Sequence, residues 1–221
     1  MPLQTFYNLK EERKAEILKV SYEEFVFNTY KTASVSNIVK QLKLAKGSFY
    51  RYFSNKLNLY TYLVQRAYKL RMKQLGNLLQ NDSYNFFNIL RENFRNKVIF
   101  DTSYPLESIL LFNLFQEGDS EEVKHLYHEL KSEALNLTKG LIVQFQQNGD
   151  LNSHADPEIA TQFIFQTQLG IYEYLNFFKG IDFKENIRKG NRVFALSEQE
   201  IMEVVDKFLL IIMFGLEKRE S

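Results

Sequence analysis

The run Ser34-Val35-Ser36-Asn37-Ile38-Val39, followed by Leu44-Ala45-Lys46-Gly47-Ser48-Phe49-Tyr50-Arg51-Tyr52-Phe53 and then Asn55-Lys56, decides how this 221-residue chain is read. Ser34 and Asn37 open a short predicted helix that carries Val35, Ile38, Val39 and Leu42 at helical spacing. A break near Lys43 and Leu44 leads into a second helix over about Ala45–Phe53. Two helices of about two turns each, joined by about three or four residues, form the helix-turn-helix layout, in which the second helix enters the major groove of DNA. If Phe49 and Phe53, at i and i+4, pack inward with Leu42 and Leu44, a rotation of about 100° per residue sends Gly47 and Arg51 outward. Lys46, Ser48 and Tyr50 flank them.

These residue types suit a polyanion. Gly47 is a poor helix former whose missing side chain lets a partner approach the backbone closely. Lys46 and Lys56 are expected to neutralise phosphates, Ser34 and Ser36 to donate to phosphate oxygens, and Tyr50 to reach either phosphate or base. Arg51 is the expected base reader, because its fork matches the O6/N7 edge of guanine. With Gly47, Ser48 and Tyr52, these residues complete the candidate DNA-binding set.

The charge distribution points the same way. The net charge is only +1, but residues 1–81 hold 14 Lys/Arg against 5 Asp/Glu, and residues 82–221 hold 14 against 22. No acidic residue lies between Glu24 and Asp82, where ten basic ones occur. Such asymmetry implies a polyanionic partner at the basic end. The absence of cysteine excludes disulfides, thiolate metal sites and a cysteine nucleophile. With 9 Gly and 3 Pro, the chain is poor in turn residues, which argues for long helices and against an all-β sandwich. The longest apolar stretch, Phe208 to Leu216, is far short of the roughly 18 residues of a membrane span, and residues 1–14 hold no apolar signal core. A cytoplasmic protein without a membrane partner is expected.

Helical signals cover nearly the whole chain and predict nine helices without a convincing strand. Asn8 with Glu11 reads as the cap of a helix to Phe27 that buries Ile17, Leu18, Ser21 and Phe25. Ser54 and Asn55 turn into a long helix with Tyr60, Leu63, Val64, Ala67 and Leu70 on one face. Beyond Asn81 the composition becomes acidic and aromatic. Helices are expected over Tyr84–Phe100 and from Pro105 to near Gly118. Asp119 with Glu122 caps one that Gly149 and Asp150 stop; Asp156-Pro157-Glu158 opens another, to Phe178. Ser197 with Glu200 boxes the last, ending near Gly215.

Together, the Ser34–Val39 run, the Lys46-Gly47-Ser48-Phe49-Tyr50 core with Tyr52-Phe53, Asn55-Lys56 and Leu59, and the preceding Ile17-Leu18, Phe25 and Tyr30, resemble the DNA-binding signature of the TetR family of transcriptional regulators. The match covers about 45 residues. The resemblance implies an all-α homodimer, with a helix-turn-helix DNA-binding domain over 1–55 and a helical effector-binding and dimerisation domain over 56–221. It also implies operator DNA and a small-molecule effector as partners, no cofactor, and more commonly repression than activation. Thr29, Lys43 and Ala45 stand where the family usually has Gly, Gly and Ser or Thr; Ala33 and Leu57 replace a usual Thr and an acidic residue. Lys43 must then adopt the turn geometry without glycine's freedom at positive φ, at a cost of about 1 kcal/mol.

In the carboxyl-terminal half, the final helix is apolar all round from Phe208 to Phe214, more than one packing face requires. The surplus implies a second subunit, with Phe163, Leu169, Tyr172, Leu175 and Phe178 as candidate neighbours. Phe87, Phe94, Phe112, Phe115, Phe145, Phe165 and Tyr172, with Asn113, Gln116, Gln166 and Gln168, would suit an apolar or aromatic effector, although aromatic stripes at helical spacing are more often plain core. His125 and His128, near Glu121 and Glu129, are spaced for a divalent metal, but exposed histidines among charges more often form a solvated face. No phosphate loop, nucleophile elbow, zinc motif or triad argues for an enzyme. The alternative is a DNA-binding architectural protein that needs no effector.

Overall fold

The computed structural model describes residues 1–75, 85–116, 118 and 120–216, and among these it is all-helical. The eleven helices are α1 (Gln4–Tyr7), α2 (Glu11–Phe27), α3 (Val35–Gln41), α4 (Lys46–Tyr50), α5 (Lys56–Leu75), α6 (Phe86–Ser103), α7 (Pro105–Gln116), α8 (Lys124–Gln147), α9 (Pro157–Phe177), α10 (Phe183–Arg188) and α11 (Glu198–Leu216). Nine correspond to the helices read from the sequence. The two additional ones, α1 and α10, are too short to leave a periodic signal. The expected features at Asn81, Tyr84 and Asp119 lie outside the described residues, as does the side chain of Gly215.

Contacts divide the chain into two compact units, residues 1–72 with 104–128, and residues 73–103 with 129–221. In the first, α2 packs on α3 and α7, and α3 packs on α4. α2 buries Ile17, Ser21, Tyr22, Phe25 and Val26, so the expected face is present, except that Leu18 is only half-buried. Its start differs from expectation. Asn8 closes α1, donating its backbone N–H to the Gln4 carbonyl, and Lys10 stands at the α2 cap position without a side-chain cap. The reason is tertiary: burial of Phe6 holds residues 4–7 in a turn of their own. At the other end of α2, the buried amide of Asn113 on α7 donates to the carbonyls of Phe25 (3.3 Å) and Val26 (3.1 Å), supplying partners for a helix terminus that would otherwise lack them.

The second unit sets α11 against α6 and α9. Arg91 grips Asp206 with two parallel hydrogen bonds, Nε to Oδ1 at 2.7 Å and Nη2 to Oδ2 at 3.0 Å, and Arg95 pairs with Glu198. Fully buried Asp101 accepts from the ammonium of Lys97 and the phenol of Tyr172, so its charge is compensated inside the helical layer. The predicted caps are present. Asp156 accepts from the N–H groups of Glu158 and Ile159, and Ser197 and Glu200 exchange hydrogen bonds reciprocally. Gly149, at φ 81°, closes α8, and the Asp150 N–H returns to the Phe145 carbonyl.

Also within the first unit, the Tyr22 phenol donates to the Leu63 carbonyl at 3.0 Å. Burial raises the Glu107 carboxyl above its ordinary value, with the Arg66 charge opposing the shift. The folded state thus holds this proton more tightly than the unfolded chain. The associated stability is complete below the unfolded value of 4.5 and is lost as pH rises through the folded value. Glu107→Gln is expected to abolish that loss, giving a higher Tm than the parent at about pH 7 and a matching one at about pH 4. Thermal melts across this range check it, and parallel curves for the two proteins would contradict it.

Candidate nucleic-acid interface

Three local devices build the α3–turn–α4 unit. Ser34 caps α3 by accepting from the Ser36 N–H at 3.2 Å. The end of α3 closes as two nested turns: the Lys43 N–H donates to the Lys40 carbonyl and the Leu44 N–H to the Val39 carbonyl, with Lys43 at φ 54°. This is the left-handed closure in which glycine is usual, so Lys43 carries the expected strain. Arg13 Nη2 also donates to the Leu42 carbonyl at 3.2 Å, fixing the turn to α2. The third device is Glu24. Buried on α2, it accepts from the Ser34 N–H at 2.7 Å and the Asn37 side-chain amide at 3.2 Å, pinning the first turn of α3.

The α4 segment has the two faces expected. Phe49 and Phe53 are buried with Leu42, and their rings lie 5.8 Å apart. Gly47 and Arg51 are exposed, and a Cβ built on Gly47 would meet nothing within 4 Å. Nothing inside the protein therefore requires glycine there. The Arg51 guanidinium makes no hydrogen bond or ion pair with the described residues, and Tyr50 is 47% exposed. Ser36 is exposed; Ser34 and Ser48 are half-buried. Ala45 caps α4 without a side-chain bond. Lys46 opens α4, and its side chain lies outside the described residues.

Two candidate residues are placed differently from the rest. Tyr52 is half-buried, its ring edge-on to Phe6 at 6.4 Å. Lys56 turns back on the loop before α3, donating to the carbonyls of Tyr30 (2.8 Å), Ala33 (3.2 Å) and Lys31 (3.4 Å), with its ammonium 4.5 Å from the centre of the Tyr30 ring. An ammonium has three donors. Lys56 therefore brings positive charge to the head while its donors hold the loop.

Sequence reasoning missed Glu24 as an organiser of the head. The only signal was its position as the last acid before the long basic tract, and the adjacent Glu23 shares nearly the same position, so the sequence alone does not single Glu24 out. It also missed α1, for which burial of Phe6 is the cause. In the second half, Asn113 is committed to α2, while Phe94, Phe145, Phe165 and Tyr172 are buried in the second unit. Among the described residues, no group of three or more His, Asp or Glu side chains is placed to hold a metal, His125 and His128 included.

Residues 17–63 match the model of the bacterial regulatory proteins of the tetR family. Over 99% of this chain and 100% of the other, the fold superposes on that of a TetR family transcriptional regulator from Chloroflexus aurantiacus J-10-fl, with a TM-score of 0.78 at 24% identity. The chain thus has a TetR-like fold, and residues 17–63 are similar to the amino-terminal domain of that family. The TetR fold is shared with the ketosteroid transcriptional regulator KstR2 of Mycobacterium tuberculosis (TM-score 0.67, 14% identity, 96% of this chain and 98% of that one). It is shared also with AibR, solved with isovaleryl coenzyme A and operator DNA (TM-score 0.64, 17% identity, 91% and 97%). No curated protein sequence matches the chain. In this helix-turn-helix, the open surroundings of Gly47 yield a sharp expectation. Gly47→Ala should leave the Tm unchanged or raise it, by up to about 1 kcal/mol of helix stability, while weakening DNA binding because a methyl group intrudes where the duplex approaches. Melting and DNA titration of one preparation check it; undiminished binding would contradict it.

Proposed function

We propose that this DNA-binding regulator is a homodimeric repressor that grips a palindromic operator with residues 1–55 and is released by a small apolar or aromatic effector taken up by residues 56–221. The carrying observation is the exposed α4 edge, where Gly47 has no internal reason to be glycine and the Arg51 guanidinium makes no hydrogen bond or ion pair with the described residues. Ser34, Ser36, Ser48, Tyr50 and Lys46 supply backbone contacts, Arg51 reads a base, Tyr52 supports the edge, and Lys56 adds charge. No helix among the described residues is long and apolar enough to cross a membrane, which agrees with action in the cytoplasm.

Dimerisation is supported by the second unit. α9 and α11 pack together there, yet leave Ile159, Phe163, Phe177, Phe178, Leu210, Ile211 and Phe214 exposed, with Phe177 at 81% and Ile211 at 66%. An apolar surface of this extent on adjoining helices calls for a cover, and a second copy supplies the same surface in return. Tyr172 and Leu175, candidate neighbours of a partner, are instead buried in their own unit. A two-fold dimer would present its recognition helices about 34 to 36 Å apart, one turn of duplex. An effector that binds one spacing better than the other would shift the protein off the operator. The buried Phe94, Phe145, Phe165 and Tyr172 offer apolar surface for such a ligand, and the AibR complex shows this fold holding a ligand and operator DNA.

Selection from random duplexes followed by anisotropy titration tests the reading. Lys46→Ala should weaken specific and random binding alike and flatten the salt slope by about one per protomer contact. Arg51→Ala should cost about 1 to 3 kcal/mol per half-site and relax preference at one base pair. No complex with any duplex at low salt would overturn the function; a preserved salt slope or base preference would overturn the corresponding assignment. Separately, Ile211→Glu should produce a monomer in sedimentation and abolish binding to the paired half-sites, and a dimer with this substitution would refute the interface. If no small molecule across a broad screen shifts operator affinity, effector-independent DNA binding takes the place of the switch.

A further inference from the structure

We infer that residues 3–6 form a clamp that sets the direction in which Arg51 leaves α4, making Thr5 and Phe6 positioning residues for base recognition. The inference rests on the proposed role of Arg51 as reader. Arg51 is the last residue of the recognition segment, with a helical φ of −77° and ψ of −18°, and its own N–H is taken by the Ser48 carbonyl. Carbonyls at a helix C-terminus have no partner within the helix. Here α1 provides them: the Thr5 hydroxyl donates to the Arg51 carbonyl, and the Leu3 N–H donates to the Tyr52 carbonyl at 2.8 Å. The peptide units on both sides of Tyr52 are therefore held by one short segment from outside the helix-turn-helix.

Packing locks that segment in place. Phe6 is buried, with its ring 5.0 Å from Phe53, 5.8 Å from Tyr62 and 6.4 Å from Tyr52. Phe53 in turn packs against Phe49, whose burial orients the whole of α4. Phe6 thus fills the space at the end of the recognition segment, and Thr5 fixes the carbonyl of the very residue that would read the base. A long side chain magnifies any tilt of its own peptide plane, and base-edge hydrogen bonds tolerate little misalignment. Phosphate contacts made by Ser36 or Lys46, earlier along the unit, do not depend on this plane.

A double-mutant cycle on the full-length protein, read by anisotropy with the selected operator and a random duplex, tests the clamp. Thr5→Val is expected to weaken operator binding by roughly three- to tenfold per half-site, the range of one net hydrogen bond. Random-duplex affinity, salt slope and Tm should stay at parent values, and Thr5→Ser should restore the operator affinity. In the Arg51→Ala background, Thr5→Val should add no further loss. Phe6→Leu keeps an apolar filler and should show the same selective, Arg51-dependent loss. Operator binding unchanged in both variants, a loss of equal size on random DNA, or a loss additive with that of Arg51→Ala would overturn the clamp while leaving the DNA-binding reading intact. If Arg51→Ala alone leaves base preference unaltered, the reader assignment and the clamp fall together, and failure of the parent protein to bind any duplex removes the function itself.

Discussion

The burial of Phe49 and Phe53, one helical turn apart, is the constraint on which the proposed DNA-binding face depends. Both rings are buried, and every other position of α4 follows from where they point. Rotating this segment by two residues, about 200°, would expose both phenylalanines and turn Arg51 inward, with an energetic cost of order 1.5 to 3 kcal/mol for each ring and more for a desolvated guanidinium. The exposed edge of Gly47 and Arg51 is therefore held in register by the hydrophobic effect acting on its opposite side. Phe6 extends the same cluster beyond α4, which explains how a four-residue helix far away in sequence packs on the helix-turn-helix.

Around that apolar cluster, polar groups are assigned to backbone termini. Glu24 takes the Ser34 N–H at the start of α3, Arg13 a carbonyl at its end, Lys56 three carbonyls of the loop before it, and Asn113 two at the end of α2. Short helices leave a large share of their backbone groups without intrahelical partners, so a head made of five- and seven-residue helices depends on such side chains to a degree that long helices do not. Glu122, beside Ser120, feels the charges of Lys31 and Lys56 as well, and the Ser120 hydroxyl is the main cause holding its carboxyl below the usual range. The charge excess of the amino-terminal third is thus partly spent internally. What faces outward is selected by packing, not by composition.

The long helices were legible because their signals are local. Asp156-Pro157-Glu158, the Ser197/Glu200 box and Gly149 act within one turn of where they stand, and each is found in its expected role. The strain at Lys43, found at φ 54°, was readable through the resemblance, which implies glycine at that position; the residues alone indicate only a break there. The Asn8 cap was misread, since nothing local distinguishes an N-cap from the end of a preceding turn when burial of Phe6 is what decides. Lys56 was read as a phosphate donor because proximity to a helix-turn-helix and a positive charge were all that the sequence displayed.

The sequence by itself determined the all-helical class, the position of the turn between α3 and α4, and the pairing of Phe49 with Phe53 that turns Gly47 and Arg51 outward. Those properties depend on helical periodicity and on backbone preferences of neighbouring residues, which act over a few ångströms along the chain. Only the tertiary structure decided that Glu24, Lys56 and Asn113 serve backbone ends, that α1 holds the end of α4, and which apolar side chains of α9 and α11 remain uncovered. Each of these depends on which distant segments meet, and a hydrogen-bonding group carries no local mark of the partner that folding brings to it.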